Sequence, residues 1–111
     1  MATESQSQNP ASVCNIAVGS YLTSDTAAAI TITIGFQPRY VKVVNEDGDA
    51  SIEWFEGMGD GEGMKLVGDT DPCTYSLNAT LGITPAADGF VIGLDTDINV
   101  TNQQLRWIAY G

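Results

Sequence analysis

Ile30, Ile32, Ile34 and Phe36 alternate with Thr31, Thr33 and Gly35. A period of two puts the four large apolar side chains on one face of a strand and cannot line up on a helix. The same alternation returns in short pieces along the chain. Cys14, Ile16 and Val18 alternate with Asn15 and Ala17, and a strand resumes at Tyr40–Val44 after Pro38. Ile52 and Trp54 alternate with Glu53 and Phe55, and Leu105, Trp107 and Ala109 with Arg106, Ile108 and Tyr110. Met64–Val67 and Thr74–Leu77 read as shorter strands. Asp47-Gly48 is a hairpin signal, and Asp88-Gly89 turns the chain into Phe90, Ile92 and Leu94. The one Ala cluster, Ala27–Ala29, runs straight into β-branched residues, so no helix is expected.

About eight strands, one every ten residues or so, predict an all-β fold. The expected architecture is a single antiparallel β-sandwich, jelly-roll or immunoglobulin-like, over residues 13–111. Residues 1–12 hold Ser, Gln and Asn, end near Pro10, and offer no core face. They are expected to form an extended polar arm.

With 111 residues the chain has material for one core. Four Lys and Arg against 14 Asp and Glu leave a formal charge of −10, and there is no His. Phosphate affinity comes from clustered cations, so a nucleic-acid partner is excluded. Without His, the commonest proton shuttle and transition-metal ligand are missing. No stretch has the apolar length of a membrane span, and the first residues lack a basic region and an apolar region. A cytoplasmic start with no membrane partner is the expectation. In that compartment Cys14 and Cys73 are read as two free thiols, with a bridge across the sandwich as the alternative.

Three patterns could carry chemistry. The window Asn45–Glu56 sets oxygen-bearing side chains at positions 1, 3, 5, 7, 9 and 12, as in a calcium loop of the EF-hand type. Asn45, Asp47, Asp49 and Glu56 are its candidate metal ligands. Ala50 occupies the place of the required Gly and the flanks are strands, so a hairpin with solvated acids is the preferred reading, and no metal or other cofactor is expected. Asp95 and Asp97 lie two apart, the spacing that gives two carboxylates one face of a strand, as an acid–base pair needs. Gly57–Gly61 is glycine-rich but ringed by acids, which opposes phosphate binding. Nine of the 14 acids fall between Glu46 and Asp71, which reads as a solvated face. No His stands by to activate a Ser or Cys, and no catalytic residue is assigned. Trp54, Phe90, Trp107 and Tyr110 could stack a sugar, but their alternation assigns them to packing.

The stretch Ile32–Asn45, with Gly35-Phe36-Gln37-Pro38-Arg39-Tyr40-Val41 at its centre, resembles an opening found in small structural proteins of tailed bacteriophages and prophages. The resemblance continues through Glu53–Met58, Ile83-Thr84-Pro85, Asp88–Gly93 and Leu105–Ala109, so it spans roughly residues 30–111. It implies a β-rich, non-enzymatic protein present in many copies on the virion and made in the host bacterial cytoplasm. A capsid decoration (cement) protein fits best, with the major capsid protein or other virion proteins and further copies of itself as partners. The alternatives are a tail- or fibre-associated module for attachment or carbohydrate binding, and a free-standing calcium- or sugar-binding β-sandwich.

Overall fold

A computed structural model describes residues 15–69 and 72–111. The arm expected over residues 1–12, and Cys14, lie outside the described residues, so the question of a Cys14–Cys73 bridge falls there too. Cys73 itself is exposed.

The described residues form eight strands and no helix. They are β1 (Ile16–Leu22), β2 (Ile30–Thr33), β3 (Tyr40–Asn45), β4 (Ala50–Phe55), β5 (Glu62–Val67), β6 (Thr74–Ala86), β7 (Gly89–Ile92) and β8 (Gln104–Tyr110). All neighbours are antiparallel. No helix among the described residues is long and apolar enough to cross a membrane.

The expected sandwich of two sheets is not what the hydrogen bonds make. The eight strands belong to one continuous sheet in the order β1-β8-β3-β4-β5-β6-β7-β2, which curls over its own inner face. The reason lies in β6, which at 13 residues is far longer than the Thr74–Leu77 strand expected from the sequence. Its first half pairs with β5, from Val67↔Thr74 to Gly63↔Asn78. Its second half pairs with β7, from Ile83↔Ile92 to Ala86↔Gly89. Between the halves the register with β5 jumps, since Glu62 pairs with Ile83 while Gly63 pairs with Asn78. One strand thus carries the sheet round a corner, where two sheets would need a break.

Glycines make the corner. The Gly82 amide donates to the Gly61 carbonyl at 2.8 Å, and the Gly93 amide to the Gly82 carbonyl at 2.8 Å. A Cβ on Gly82 would stand 2.4 Å from the Glu62 carbonyl oxygen, and Gly61 has a φ of +79°. Only glycine allows backbones this close in that conformation.

The core sits inside the curl. Val41, Val43, Ile52, Trp54, Leu105 and Ala109 from β3, β4 and β8 meet Ile30, Ile32, Ile83, Phe90 and Ile92 from β2, β6 and β7, with Ile98 between them. Phe90 and Trp107 pack edge to face at 5.6 Å. The molecule measures 41 × 36 × 19 Å, a slab about two layers thick. The strand expected at Ile30–Phe36 stops at Thr33, because the amides of Ile34 and Gly35 both turn to the Asp88 carbonyl.

Candidate functional site

Every polar residue buried among the described residues serves one loop. Thr23, Asn45, Asp95 and Asn99 are the four, and the loop runs from Gly93 to Gln103 between β7 and β8. The Thr23 hydroxyl donates to the Val100 carbonyl at 2.5 Å and accepts from the Gln103 amide at 2.8 Å. The Asn99 side-chain amide donates to the carbonyls of Ala28 and Gly93. Irregular backbone held against a core needs such partners for its polar groups.

Asp95 is the charged member of this set. Its Oδ1 accepts from the amides of Asp97 at 2.8 Å and Ile98 at 3.1 Å. Its Oδ2 accepts from the Asn78 side-chain amide and stands 3.1 Å from Lys65 Nζ. The same Nζ lies 2.6 Å from Asp97 Oδ2. Burial alone would raise the Asp95 carboxyl, but the Asp97 amide, Asn78 and Lys65 outweigh it and hold it below the usual carboxylate range. Burial alone would lower the Lys65 ammonium, but hydrogen bonds to Asp97 and Asp95 and the charges of both outweigh it and hold it higher. The two carboxylates expected as an acid–base pair are therefore brought together around a shared ammonium. Both oxygens of Asp95 are engaged, which makes this cluster an anchor for the loop.

The four candidate metal ligands do not converge. Asn45 is completely buried at the end of β3. Its Oδ1 accepts from the amides of Asp47 at 3.0 Å and Gly48 at 2.9 Å, closing the hairpin turn. Its Nδ2 donates to the carbonyls of Asp97 and Ile98 and to Gln103 Oε1. Asp47 accepts from the Gln104 amide at 2.8 Å. Asp49 takes a φ of +52° at the turn, and its carbonyl receives the Gly68 amide. Glu56 follows the far end of β4, roughly 17 Å of strand away, where it pairs with Arg39 at 3.3 Å. Among the described residues no group of three or more His, Cys, Asp or Glu side chains is placed to hold a metal. The aromatics also part company. Trp54 and Phe90 are buried, Trp107 packs beside the core, and Tyr110 lies on the opposite face.

That opposite face is the most distinctive surface. Cross-strand partners define its rows. Ile16, Tyr110, Tyr40 and Phe55 run across β1, β8, β3 and β4. Val18, Ile108, Lys42, Glu53, Met64 and Leu77 form the next row, and Ser20, Arg106, Val44, Ser51, Leu66 and Tyr75 the third. Eight of the eleven exposed large apolar residues lie here, namely Ile16, Val18, Leu22, Phe55, Leu66, Tyr75, Leu77 and Tyr110. Tyr40 packs against Phe55 at 5.4 Å and Tyr110 at 5.5 Å. Its hydroxyl donates to Glu53 at 2.6 Å, and burial, that bond and the neighbouring carboxylate push its ionisation well above the usual tyrosine range.

Charged side chains of both signs border this face. Arg106 pairs with Glu46 at 2.7 Å, Arg39 at the end of the face pairs with Glu56, and Lys42 stands across from Glu53. Two of the chain's four cations, Arg39 and Arg106, form ion pairs at this face, and a third, Lys42, is the cross-strand neighbour of Glu53. A shallow depression of about 300 Å³ opens between Lys42, Val44, Ser51 and Leu66. The anchors Lys65, Asn78, Thr23 and Asn99 were missed in the sequence. A signal existed for Lys65 alone, the one cation on the inward parity of an apolar strand, in step with Val67. Compared with protein-family models, with curated proteins and with solved structures, the chain matches none.

Proposed function

We propose that this chain is a non-enzymatic structural protein of a tailed-phage virion, a capsid decoration protein that seats the outer face of its sheet on the capsid lattice. The observation that carries the docking is the concentration of exposed apolar side chains on that one face, with two ion pairs beside them. Large apolar patches exposed on a soluble protein mark interaction surfaces. Six strands spaced by about 4.8 Å give it the breadth of half a standard interface, about 800 Å² per partner. The virion assignment rests on the motifs from Ile32 to Ala109. The buried ionisable cluster supports a structural role, because Asp95, Asp97 and Lys65 are used up in holding a loop.

Binding only to the assembled lattice stabilises that lattice by mass action, and many copies multiply the effect. Particles lacking the protein are expected to assemble yet release DNA at lower temperature or under osmotic shock. Normal heat stability combined with lost adsorption to host cells would overturn the decoration assignment in favour of a fibre role.

A further inference from the structure

Among the described residues β1 is a free edge without the usual protection. Natural edge strands carry Lys, Pro or a bulge, or are kept short, so that they do not recruit another strand. The other free edge, β2, is short at four residues. β1 is seven residues long, has no charged residue and no Pro, and pairs with β8 in unbroken register. Its outer-face side chains are open to solvent, with Ile16 57%, Val18 69% and Leu22 66% exposed.

The hydrogen bonds show which backbone groups are unspent. The Gly111 amide donates to the Asn15 carbonyl, and the Thr23 amide to the Gln103 carbonyl. Both pairs fall in the β1–β8 register, in which Ala17 faces Ala109, Gly19 faces Trp107 and Tyr21 faces Leu105. Hydrogen-bonded pairs alternate along an antiparallel ladder, so the odd residues bond β8. The amides and carbonyls of Ile16, Val18, Ser20 and Leu22 therefore point outward along the free edge.

We infer that β1 pairs with β1 of a second copy, antiparallel, about a two-fold axis at Gly19. This register sets Ile16 against Leu22 of the second copy and Val18 against Ser20, all residues with outward-facing backbone. Each such pair exchanges two hydrogen bonds, and Gly19 meets Gly19 where no bonds are due. Apolar side chains meet apolar ones at both ends of the ladder. A molecule of charge −10 repels its copies, and β1, free of charge, is where two can approach. A ladder of this length lies at the small end of interface sizes, so the dimer is reversible. The pairing does not depend on what the outer face docks against.

The test is sedimentation equilibrium of the full chain up to about 1 mM, with amide hydrogen exchange by NMR at both ends of the range. A monomer–dimer equilibrium is expected. The amides of Ile16, Val18, Ser20 and Leu22 should gain about tenfold protection with concentration, while Ala17, Gly19 and Tyr21 stay protected throughout. Val18→Pro removes an outward N–H and none of the β8 ladder, so it should abolish dimers. Val18→Lys, which keeps the backbone intact, should weaken them at unchanged melting temperature and covers the case in which the Pro variant does not fold. A chain that stays monomeric at every concentration overturns the inference. So does a dimer whose even-numbered amides exchange as freely as in dilute solution, since it would use another surface.

Discussion

The two faces of β3, β4 and β8 are built from similar side chains and meet different fates. Inside stand Val41, Val43, Ile52, Trp54, Leu105 and Ala109, all buried. Outside, one residue along on the same strands, stand Tyr40, Val44, Phe55, Ile108 and Tyr110, half-buried or exposed. The inner face has a cover, because β6 turns the corner and brings β7 and β2 back over it. The outer face has none among the described residues. Hydrophobicity alone therefore did not decide which face became the core. The position of a long bent strand did, and the face left over stays open among the described residues.

The largest effects should come from emptying the inside. Phe90 is fully buried and packs on Trp107. Phe90→Ala removes a large side chain from a site walled by strands on both sides, which costs about 3–5 kcal/mol. Denaturant unfolding should show a lower midpoint with little change in slope. A loss under about 1 kcal/mol would mean that the curl is loosely packed and that the contrast between the faces is false.

Next comes the anchor. Asp95→Ala leaves Lys65 with Asp97 alone and frees the amides of Asp97 and Ile98. Removing one partner of a buried pair costs about 3 kcal/mol or more. The pH dependence sharpens this. Asp95 has a folded pKa below its unfolded one, so its contribution is present above the ordinary Asp range and is lost as pH falls through it. Lys65 has a folded pKa above its unfolded one, so its contribution is present below the ordinary Lys range and is lost as pH rises past it. Stability should plateau between about pH 4 and about pH 10 and fall on both sides. Asp95→Asn should flatten the acid arm, and an unaltered acid arm in thermal melts would show that Asp95 is not the group responsible.

Much of the fold was legible. The alternation of Leu105, Trp107 and Ala109 and the turn at Asp47-Gly48 are where the sequence puts them, while the second turn falls one residue early, at Ala87-Asp88, with Gly89 opening β7. What was hidden is the second half of β6. Asn78–Gly82 lacks alternation because it forms the corner, and Gly82 answers to the backbone of Gly61 and Glu62, where β5 begins. One sheet against two turns on those residues. The candidate sites failed for a related reason. Asn45 through Glu56 counts like a calcium loop, but its positions run from the turn out along β4, so that Glu56 lies a strand's length from Asn45. Asp95 and Asp97 were visible as a pair, whereas Lys65 and Asn78, which hold the Asp95 carboxylate, come from other strands.

The smallest effect on stability should come from the outer face, and that smallness is informative. Leu66 and Tyr75 are cross-strand partners there, and both are exposed. Leu66→Ser and Tyr75→Ser remove apolar surface that folding leaves in water. Each should shift stability by no more than about 0.5 kcal/mol, at the level of ordinary surface substitutions. If the face is where the protein docks, the same changes delete contact area from the bound state alone. Binding to particles lacking the protein should then fall by about tenfold or more, as for an interface anchor. A fold untouched and a binding lost separates the two faces by function as well as by burial. The opposite result, both variants destabilised by more than about 1 kcal/mol with binding intact, would make the outer face part of the folding core and remove the reason to place a partner on it.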